Sequence, residues 1–463
     1  MKKGLPGTTR QSVSTGRRRT GKYDHVKKFF CKGKKFFHYA GNFKLLSEYM
    51  FPKRGYQWSL KVFQRLRHVK QLAFTYYVYP GALHSRFEHS LGVMELATQA
   101  VTYLLKKYKS EIQSNLKKID LPVQRAVDCL RLAALLHDVG HLRFSHGAET
   151  MLPKGKKHDD YSIAVIDGLR DDIDSWYFKG ATDLVIQLIQ KDPIIPELNF
   201  LKDILSGQID VDRMDYLLRD SLHCGVRYGT FDHHRLLETL LVIPGGETGG
   251  LRLGLDSGGI QSLEALILAR YYMYTQVLYH RTRRIYDIYL LKFFEERGYK
   301  LENLLDAINM DDMDLTMVMR SAAKDKCSAG HTWAYYIINR EHHSVVYETG
   351  AFAGVRNRMT AEKIYETLLK EFQDHSFIID KNARGTIHKF VIPEEDEMGD
   401  FFYVRTKQGN WKLITEVSKI IHDMPKVFHV IRVYAKRVYA KNEDGQIDGK
   451  IKERVVELEG EVF

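Results

Sequence analysis

The sequence predicts a mainly α fold with one small β-hairpin near its middle and an α+β region at its C-terminal end. Three observations carry that expectation. Between residues 86 and 138 apolar side chains recur at helical spacing, first as Phe87, Leu91, Met94, Val101 and Leu105, then as Val127, Leu130 and Ala134. Two apolar runs, Leu240-Leu-Val-Ile and Leu251-Arg-Leu-Gly-Leu, flank the glycine-rich stretch Pro244 to Gly250, which reads as a hairpin. Beyond Tyr299 strand-like alternation appears at Ile387 to Ile392, Phe401 to Thr406, Val427 to Lys441 and Val455 to Phe463, after helical patterns near Leu301 to Ala323 and Thr360 to Phe372.

At 463 residues, 44% hydrophobic and 28% charged, the chain has the make-up of an ordinary globular protein with more than one domain. We divide it into a basic, partly disordered N-terminal extension (residues 1–50), a helical core (51–300) and the α+β region (301–463). No apolar run is long enough to span a bilayer and the N-terminus lacks an apolar signal core, so a cytoplasmic protein with no membrane partner is expected. Cys31, Cys129, Cys224 and Cys327 are scattered without CxxC spacing, which argues against a disulfide framework and a zinc ribbon. Nearly all of the net charge of +12 comes from the lysines and arginines between Met1 and Lys35, opposed only by Asp24. Such a tail either attracts nucleic acid without sequence selectivity or simply keeps the protein soluble.

Within the core, Leu60, Phe63, Leu66 and Val69 predict a short helix, and Phe74 to Tyr79 has strand composition before the turn pair Pro80-Gly81. Ser85 and Glu88 stand at capping-box spacing, which starts a helix carrying His89 on its first turns. The next helix runs from about Pro122 to Asp138, and its apolar face continues into His137 and His141. Asp212, Tyr216, Asp220 and His223 form a polar stripe on a third helix, either a solvated face or the carboxylate side of a histidine site. Residues Gly259 to Arg297 read as one long helix or two joined ones, with Arg270 set among apolar neighbours as a candidate anion partner. The glycines of the hairpin lack the phosphate-loop pattern.

A buried imidazole is costly unless paired or bound to a metal, so the His137-Asp138 pair needs partners. Together with His89 and Asp212 it makes a set of two imidazoles and two carboxylates from separate helices. Mixed nitrogen and oxygen ligation suits Mn, Fe, Ni, Zn or Mg. Four protein ligands on an octahedral ion leave two positions for water and a substrate oxygen, the geometry of metal-assisted hydrolysis.

The segments His84-Ser-Arg-Phe-Glu-His-Ser-Leu-Gly-Val, Leu136-His-Asp-Val-Gly-His-Leu-Arg-Phe-Ser-His and Ile209-Asp-Val-Asp-Arg-Met-Asp-Tyr-Leu-Leu-Arg-Asp resemble the HD-domain phosphohydrolase superfamily. Within it the chain looks like the deoxynucleoside triphosphate triphosphohydrolases, over roughly Lys61 to Arg284. The resemblance implies that His89, His137, Asp138 and Asp212 hold one divalent metal ion per subunit, with additional Mg accompanying the nucleotide. It implies that His141 and His158 are the catalytic histidines, with Glu149 where vertebrate members carry an Asp beside this pair. An imidazole titrating near neutrality suits protonation of a leaving 5′-oxygen.

By the same resemblance Arg86, Arg213 and Arg270 contact phosphate, Arg213 replacing a Lys, with His146 among the substrate-binding residues. Tyr216 and Asp220 recognise the deoxyribose 3′-hydroxyl, and Gln71 and Leu72 approach sugar and base. Gln64 and Arg67 match part of an activator-nucleotide site, whereas Ser59 stands where the family has an Asp for guanine. Tyr274 and Leu278 replace a His and a Tyr that face substrate. Homo-dimers or homo-tetramers are implied. The expected activity is hydrolysis of a deoxynucleoside triphosphate to deoxynucleoside and inorganic triphosphate. The alternatives are a phosphodiesterase or phosphatase acting on another nucleotide or on nucleic-acid ends, and a nucleic-acid-binding scaffold with a vestigial metal site.

Overall fold

The computed structural model describes residues 57–145, 152, 155–191, 195–246, 249–299, 309–391, 401–436 and 449–461. The basic tail, Cys31, His146 and Glu149 therefore lie outside the described residues. The remaining cysteines, Cys129, Cys224 and Cys327, are free thiols.

The first described helix is α1 (Gln57–Arg65), followed by two 3-10 turns, Leu66–His68 and Ala73–Tyr77. The second turn replaces the strand expected over Phe74 to Tyr79. Its aromatic residues have strand propensity, but tertiary packing decides: Phe74 stacks on Phe144 with ring centroids 4.6 Å apart and Tyr77 lies 4.7 Å from Tyr286. Helix α2 (Arg86–Lys117) opens with the expected box, the Ser85 amide donating to Glu88 Oε2 at 2.9 Å. Helix α3 (Val123–Leu136) packs against it. It ends one residue before His137, so His141 is not on its face but follows a tight turn in which the His141 amide bonds the Asp138 carbonyl at 3.0 Å.

Four helices, α4 (His158–Gly168), α5 (Arg170–Trp176), α6 (Ala181–Ile189) and α7 (Asn199–Ser206), then lead to α8 (Val211–Cys224). Asp210 caps α8 by accepting from the Arg213 amide at 2.8 Å, and Gly225 closes it in the left-handed conformation (φ 69°). Helix α9 (His233–Glu238) precedes the expected hairpin, strands β1 (Leu240–Pro244) and β2 (Leu251–Asp256), paired antiparallel. The long aromatic segment is two helices, α10 (Ile260–Met273) and α11 (Arg281–Glu296), joined by a π-helical turn, Tyr274–Leu278. Among the described residues no helix is long and apolar enough to cross a membrane.

Beyond α12 (Asp312–Lys324) and α13 (His331–Ile338) the chain becomes α+β. Strands β3 (Ser344–Glu348), β4 (Phe377–Thr386) and β7 (Val427–Ala435) form a sheet of order β3-β7-β4. Helices α14 (Val355–Glu371) and α15 (Gly449–Gly460) cover it through Ala361, Ile364, Leu368, Ile451, Val455 and Leu458. Of the strand expected at Val455 to Phe463, the part up to Gly460 is helix and residues 462–463 lie outside the described residues; Ile451, Val455 and Leu458 recur at four and three residues. The strand expected at Ile387 to Ile392 lies just upstream instead, as β4. Strands β5 (Tyr403–Arg405) and β6 (Trp411–Leu413) extend the hairpin into a four-stranded sheet, with β5 running parallel to β2.

Candidate metal and catalytic centre

Three local features bring the site together. The capping box fixes the start of α2, so His89 points inward from its first turn and is buried. Gly140 lets the turn after α3 press onto α4: a Cβ there would lie 2.1 Å from the Ser162 amide nitrogen and 2.5 Å from the Tyr161 carbonyl carbon. The Gly140 amide instead bonds Ser162 Oγ at 2.9 Å. Gly92 does the same between α2 and α8, where a Cβ would lie 1.8 Å from Asp215 Oδ1. Its absence lets Asp212 and Asp215 of α8 approach His89.

His89 Nε2 lies 3.0 Å from Asp212 Oδ1 and 3.6 Å from Asp138 Oδ2, and His137 Nε2 lies 3.4 Å from Asp138 Oδ1 and 3.7 Å from Asp212 Oδ1. The other nitrogen of each ring is fixed from outside. His89 Nδ1 is 2.8 Å from Asp215 Oδ2, and His137 Nδ1 is 2.8 Å from the Ala134 carbonyl. Both rings therefore turn Nε2 toward the carboxylates, the arrangement in which an outer acceptor sets the tautomer of a metal-binding histidine.

The residues fit a divalent metal ion. Among the described residues His137 Nε2 is buried with no hydrogen-bond partner, and ligand atoms of His89, His137 and Asp138 lie within 4.8 Å of one another. Asp212, whose side chain is 36% exposed, stands beside both imidazoles and would supply a fourth oxygen at the open side. The electrostatics agree. Burial alone would lower the His89 imidazole, but Asp212 and Asp215 outweigh it and hold it up at about 10. Burial likewise opposes ionisation of Asp138, yet Arg86, His137 and His89 hold its carboxyl well below the usual range. A divalent cation would take over from protons on these imidazoles.

Asp138 also belongs to a second group with His141 and His158, again within 4.8 Å. The His141 and His158 rings stack with centroids 3.9 Å apart and 23° between planes. His158 Nε2 is 3.1 Å from Asp159 Oδ1, so Asp159 is a carboxylate partner of this pair that the sequence reading did not single out.

The remaining expected residues are placed as follows. Arg86 Nη1 reaches Asp138 Oδ2 at 2.5 Å and its Nε donates to Ser145 Oγ at 2.9 Å. Arg213 Nη1 lies 2.6 Å from Asp210 Oδ2 and donates to the Gly207 carbonyl at 2.7 Å. Arg270 is 7% exposed and donates twice to the Tyr274 hydroxyl, at 3.1 and 2.8 Å. Tyr216 faces Arg270, Tyr274 and Arg213. Asp220 is buried with Oδ1 2.8 Å from His84 Nε2. Gln71 and Leu72 are buried, and Gln71 Oε1 has no hydrogen-bond partner among the described residues. Gln64 and Arg67 sit together away from this cluster, Arg67 Nε donating to Gln64 Oε1 at 2.5 Å and lying 3.5 Å over the Phe87 ring centroid.

Sequence reasoning missed the support behind the site. Asp215 holds His89 and also receives Arg219 Nε and Nη2, each at 2.8 Å. Its position three residues after Asp212, on the same helix face, was the available signal. Arg65 donates to the His141 carbonyl at 2.7 Å and the Val139 carbonyl at 3.1 Å. Asp312, from the start of α12, accepts from the Phe144 amide at 2.6 Å and the Lys70 amide at 2.9 Å. These bonds hold Phe144 and Ser145 at φ 55° and 49°, a left-handed backbone that is costly for residues other than glycine.

Residues 86–220 match the HD domain and residues 231–334 match the HD associated region. The chain belongs to the HD-domain phosphohydrolase superfamily. The chain is 36% identical over 259 residues to an uncharacterized protein of Methanocaldococcus jannaschii, an alignment covering 56% of this chain and 49% of the relative. It is 32% identical over 275 residues to the deoxynucleoside triphosphate triphosphohydrolase SAMHD1 homolog of Dictyostelium discoideum, covering 56% and 50%. The chain spans about half the length of the curated relatives it matches. A hypothetical protein from Aquifex aeolicus has a similar structure, with TM-score 0.64 and 28% identity over 86% of this chain and 92% of that one. A phosphohydrolase from Bacteroides thetaiotaomicron gives TM-score 0.63 and 25% identity over 84% and 96%.

Proposed function

We propose that this HD-domain protein is a metal-dependent phosphohydrolase that cleaves deoxynucleoside triphosphates to deoxynucleoside and inorganic triphosphate. One observation supports this above the rest: Asp138 is shared between the metal-capable set with His89 and His137 and the histidine pair His141 and His158. A proton-handling pair therefore stands beside a ligand set.

A bound divalent ion would lower the pKa of water and polarise a phosphoryl oxygen. His89, His137, Asp138 and Asp212 would hold it, while Asp215 and the Ala134 carbonyl keep both imidazoles turned inward. In the proposed reaction the water gives up a proton to solvent as its oxygen bonds to the α-phosphorus, and the bond to the 5′-oxygen breaks. That oxygen takes a proton from the His141 and His158 pair, with Asp159 beside His158 stabilising the charged ring. Arg213 and Arg270 bind the phosphate chain, and Tyr216 packs against the sugar. The functional unit is a homo-dimer or homo-tetramer, which light scattering of the purified protein checks.

The test is chromatographic product analysis with a panel of nucleotides and Mn, Fe, Ni, Zn or Mg. Deoxynucleoside plus inorganic triphosphate is expected; orthophosphate or pyrophosphate in its place rules the reaction out. A phosphodiesterase or phosphatase acting on another nucleotide is the second reading, favoured by Tyr274, whose hydroxyl is engaged by Arg270. Cleavage of cyclic nucleotides or single-stranded DNA ends, with deoxynucleoside triphosphates untouched, would establish it.

A further inference from the structure

The C-terminal α+β region reaches the cationic side of this site. Gly385, near the end of β4, approaches the Tyr274 ring so closely that a Cβ would stand 2.8 Å from Cε2. The Tyr279 hydroxyl donates to the Arg384 carbonyl at 2.5 Å. The chain then continues past two buried anchors: His388, with Nε2 2.8 Å from the Met424 carbonyl, and Phe390, which is 0% exposed. Lys389 stands between them with its side chain exposed. Its carbonyl accepts from Gln208 Nε2 at 3.2 Å. The carbonyl of that same Gln208 accepts from Arg213 Nη1 at 3.3 Å. One residue thus ties the backbone of Lys389 to the Arg213 guanidinium.

Among the described residues, the charged groups that act most strongly on Lys389 are Arg213, Asp210, Arg270 and Lys157, drawn from α8, its cap, α10 and the residue before α4. Asp210, the carboxylate among these four described residues, is already paired with Arg213 at 2.6 Å. Arg270 is buried and, among the described residues, makes no ion pair with a carboxylate. Like charges gathered at a partly buried place are unfavourable without a counter-charge. Partial loss of hydration and the cations Arg213, Arg270 and Lys157, opposed by Asp210, push the Lys389 ammonium below its ordinary value, which a bound anion would reverse. Two buried residues flanking an exposed lysine also keep its backbone in place, so less order is lost when the side chain binds.

We propose that Lys389 is a substrate-binding residue of the HD site, contacting the phosphate chain at the end remote from the α-phosphorus. The proposal rests on the phosphate-chain substrate proposed above. It makes the C-terminal region part of the binding site and predicts a preference for long phosphate chains over single phosphates. Lysine acts here as a mobile point charge beside the fixed forks of Arg213 and Arg270.

Full-length, metal-loaded protein carrying Lys389→Ala, Lys389→Gln or Lys389→Arg would be titrated calorimetrically with inorganic tripolyphosphate and with orthophosphate. The expected result is a Kd for tripolyphosphate raised about tenfold in the Ala and Gln variants, from loss of one charge-assisted hydrogen bond. Orthophosphate binding should change little, Lys389→Arg should restore most of the affinity, and the ligand-free melting temperature should be unchanged. Tripolyphosphate binding as in wild type, or an equal loss for both anions, would overturn the proposal. Two outcomes separate it from the substrate reading. If no deoxynucleoside triphosphate is cleaved but tripolyphosphate binding still needs Lys389, the reading fails and Lys389 stands. If cleavage occurs with an unaltered KM in Lys389→Ala, the proposal about Lys389 fails alone.

Discussion

Replacing Asp215 by Asn tests whether the support behind His89 governs metal binding. Asp215 is buried, lies 2.8 Å from His89 Nδ1, and receives two hydrogen bonds from Arg219 at 2.8 Å each. Asn keeps the shape and one acceptor, so the ring can stay in place, but it removes the charge that raises imidazole basicity. Loss of such an outer carboxylate weakens metal affinity by about 10- to 100-fold, which is about 1.4 to 2.7 kcal/mol. Asp215→Ala goes further. It removes the carboxylate that Arg219 and His89 Nδ1 share, and breaking a buried pair of this kind costs about 3–5 kcal/mol. The assay is competitive metal titration of each folded variant, with thermal unfolding of the metal-free protein alongside. We expect Asp215→Asn to unfold within a few degrees of wild type yet bind metal at least about tenfold more weakly. Wild-type affinity in folded Asp215→Asn would show that Asp215 serves only to pair α2 with α8, and the reasoning would be refuted.

Three further outcomes are expected. Gly140→Ala should lower stability by about 1–3 kcal/mol and abolish activity, since its Cβ meets the Ser162 and Tyr161 backbone; denaturant unfolding and turnover measure both. His343 should make stability depend on acid: burial, then Lys436, His342 and Lys292, push its pKa down to about 4. Its contribution is complete above the unfolded value near 6.5 and is lost as pH falls toward 4, by up to roughly 3 kcal/mol. The melting temperature of His343→Gln should therefore fall less than that of wild type between pH 7 and pH 5. Removing residues 1–35 should weaken nucleic-acid binding and flatten its salt dependence; filter binding across a salt series that shows no change would discard a role for the tail.

The metal-capable set was legible because short motifs fix it locally. Each ligand lies next to a capping box, a tight glycine turn or a helix start, and these follow from neighbouring residues. His141 was legible as a residue but not as geometry, since helical periodicity does not show that α3 stops at Leu136. Arg65 and Asp312 were not legible at all. A lone Arg or Asp gains its meaning from backbone groups distant in sequence, as Asp312 does from Phe144 and Lys70. The misread segments failed for a related reason. Composition placed strands at Phe74 and at Val455, where the packing of aromatic rings and the spacing of Ile451, Val455 and Leu458 made helical turns instead.

Those two distant residues bear on how the site is kept in register. The turn bearing Asp138 and His141 is gripped on one side by Arg65 of α1 and continued by Phe144 and Ser145, whose left-handed backbone is secured by Asp312 of α12. Burial raises the Asp312 carboxyl, opposed by the two backbone donors and Lys70, so its charge is bound to the loop it holds. Arg65 is buried as well, and its pKa is pushed down to about 10 despite Asp312 and Asp311. Neither charge would be retained inside the protein unless both kept their partners. A shift of α12 therefore cannot leave the Phe144 and Ser145 loop unchanged, and Ser145 Oγ bonds Arg86, which in turn bonds Asp138. The path from Asp312 to the metal-capable carboxylate consists of three hydrogen bonds, Phe144 amide to Asp312, Arg86 to Ser145 Oγ and Arg86 to Asp138, joined by the peptide bond between Phe144 and Ser145. A site built this way can respond to what happens at the start of α12 without any ligand of the metal being touched.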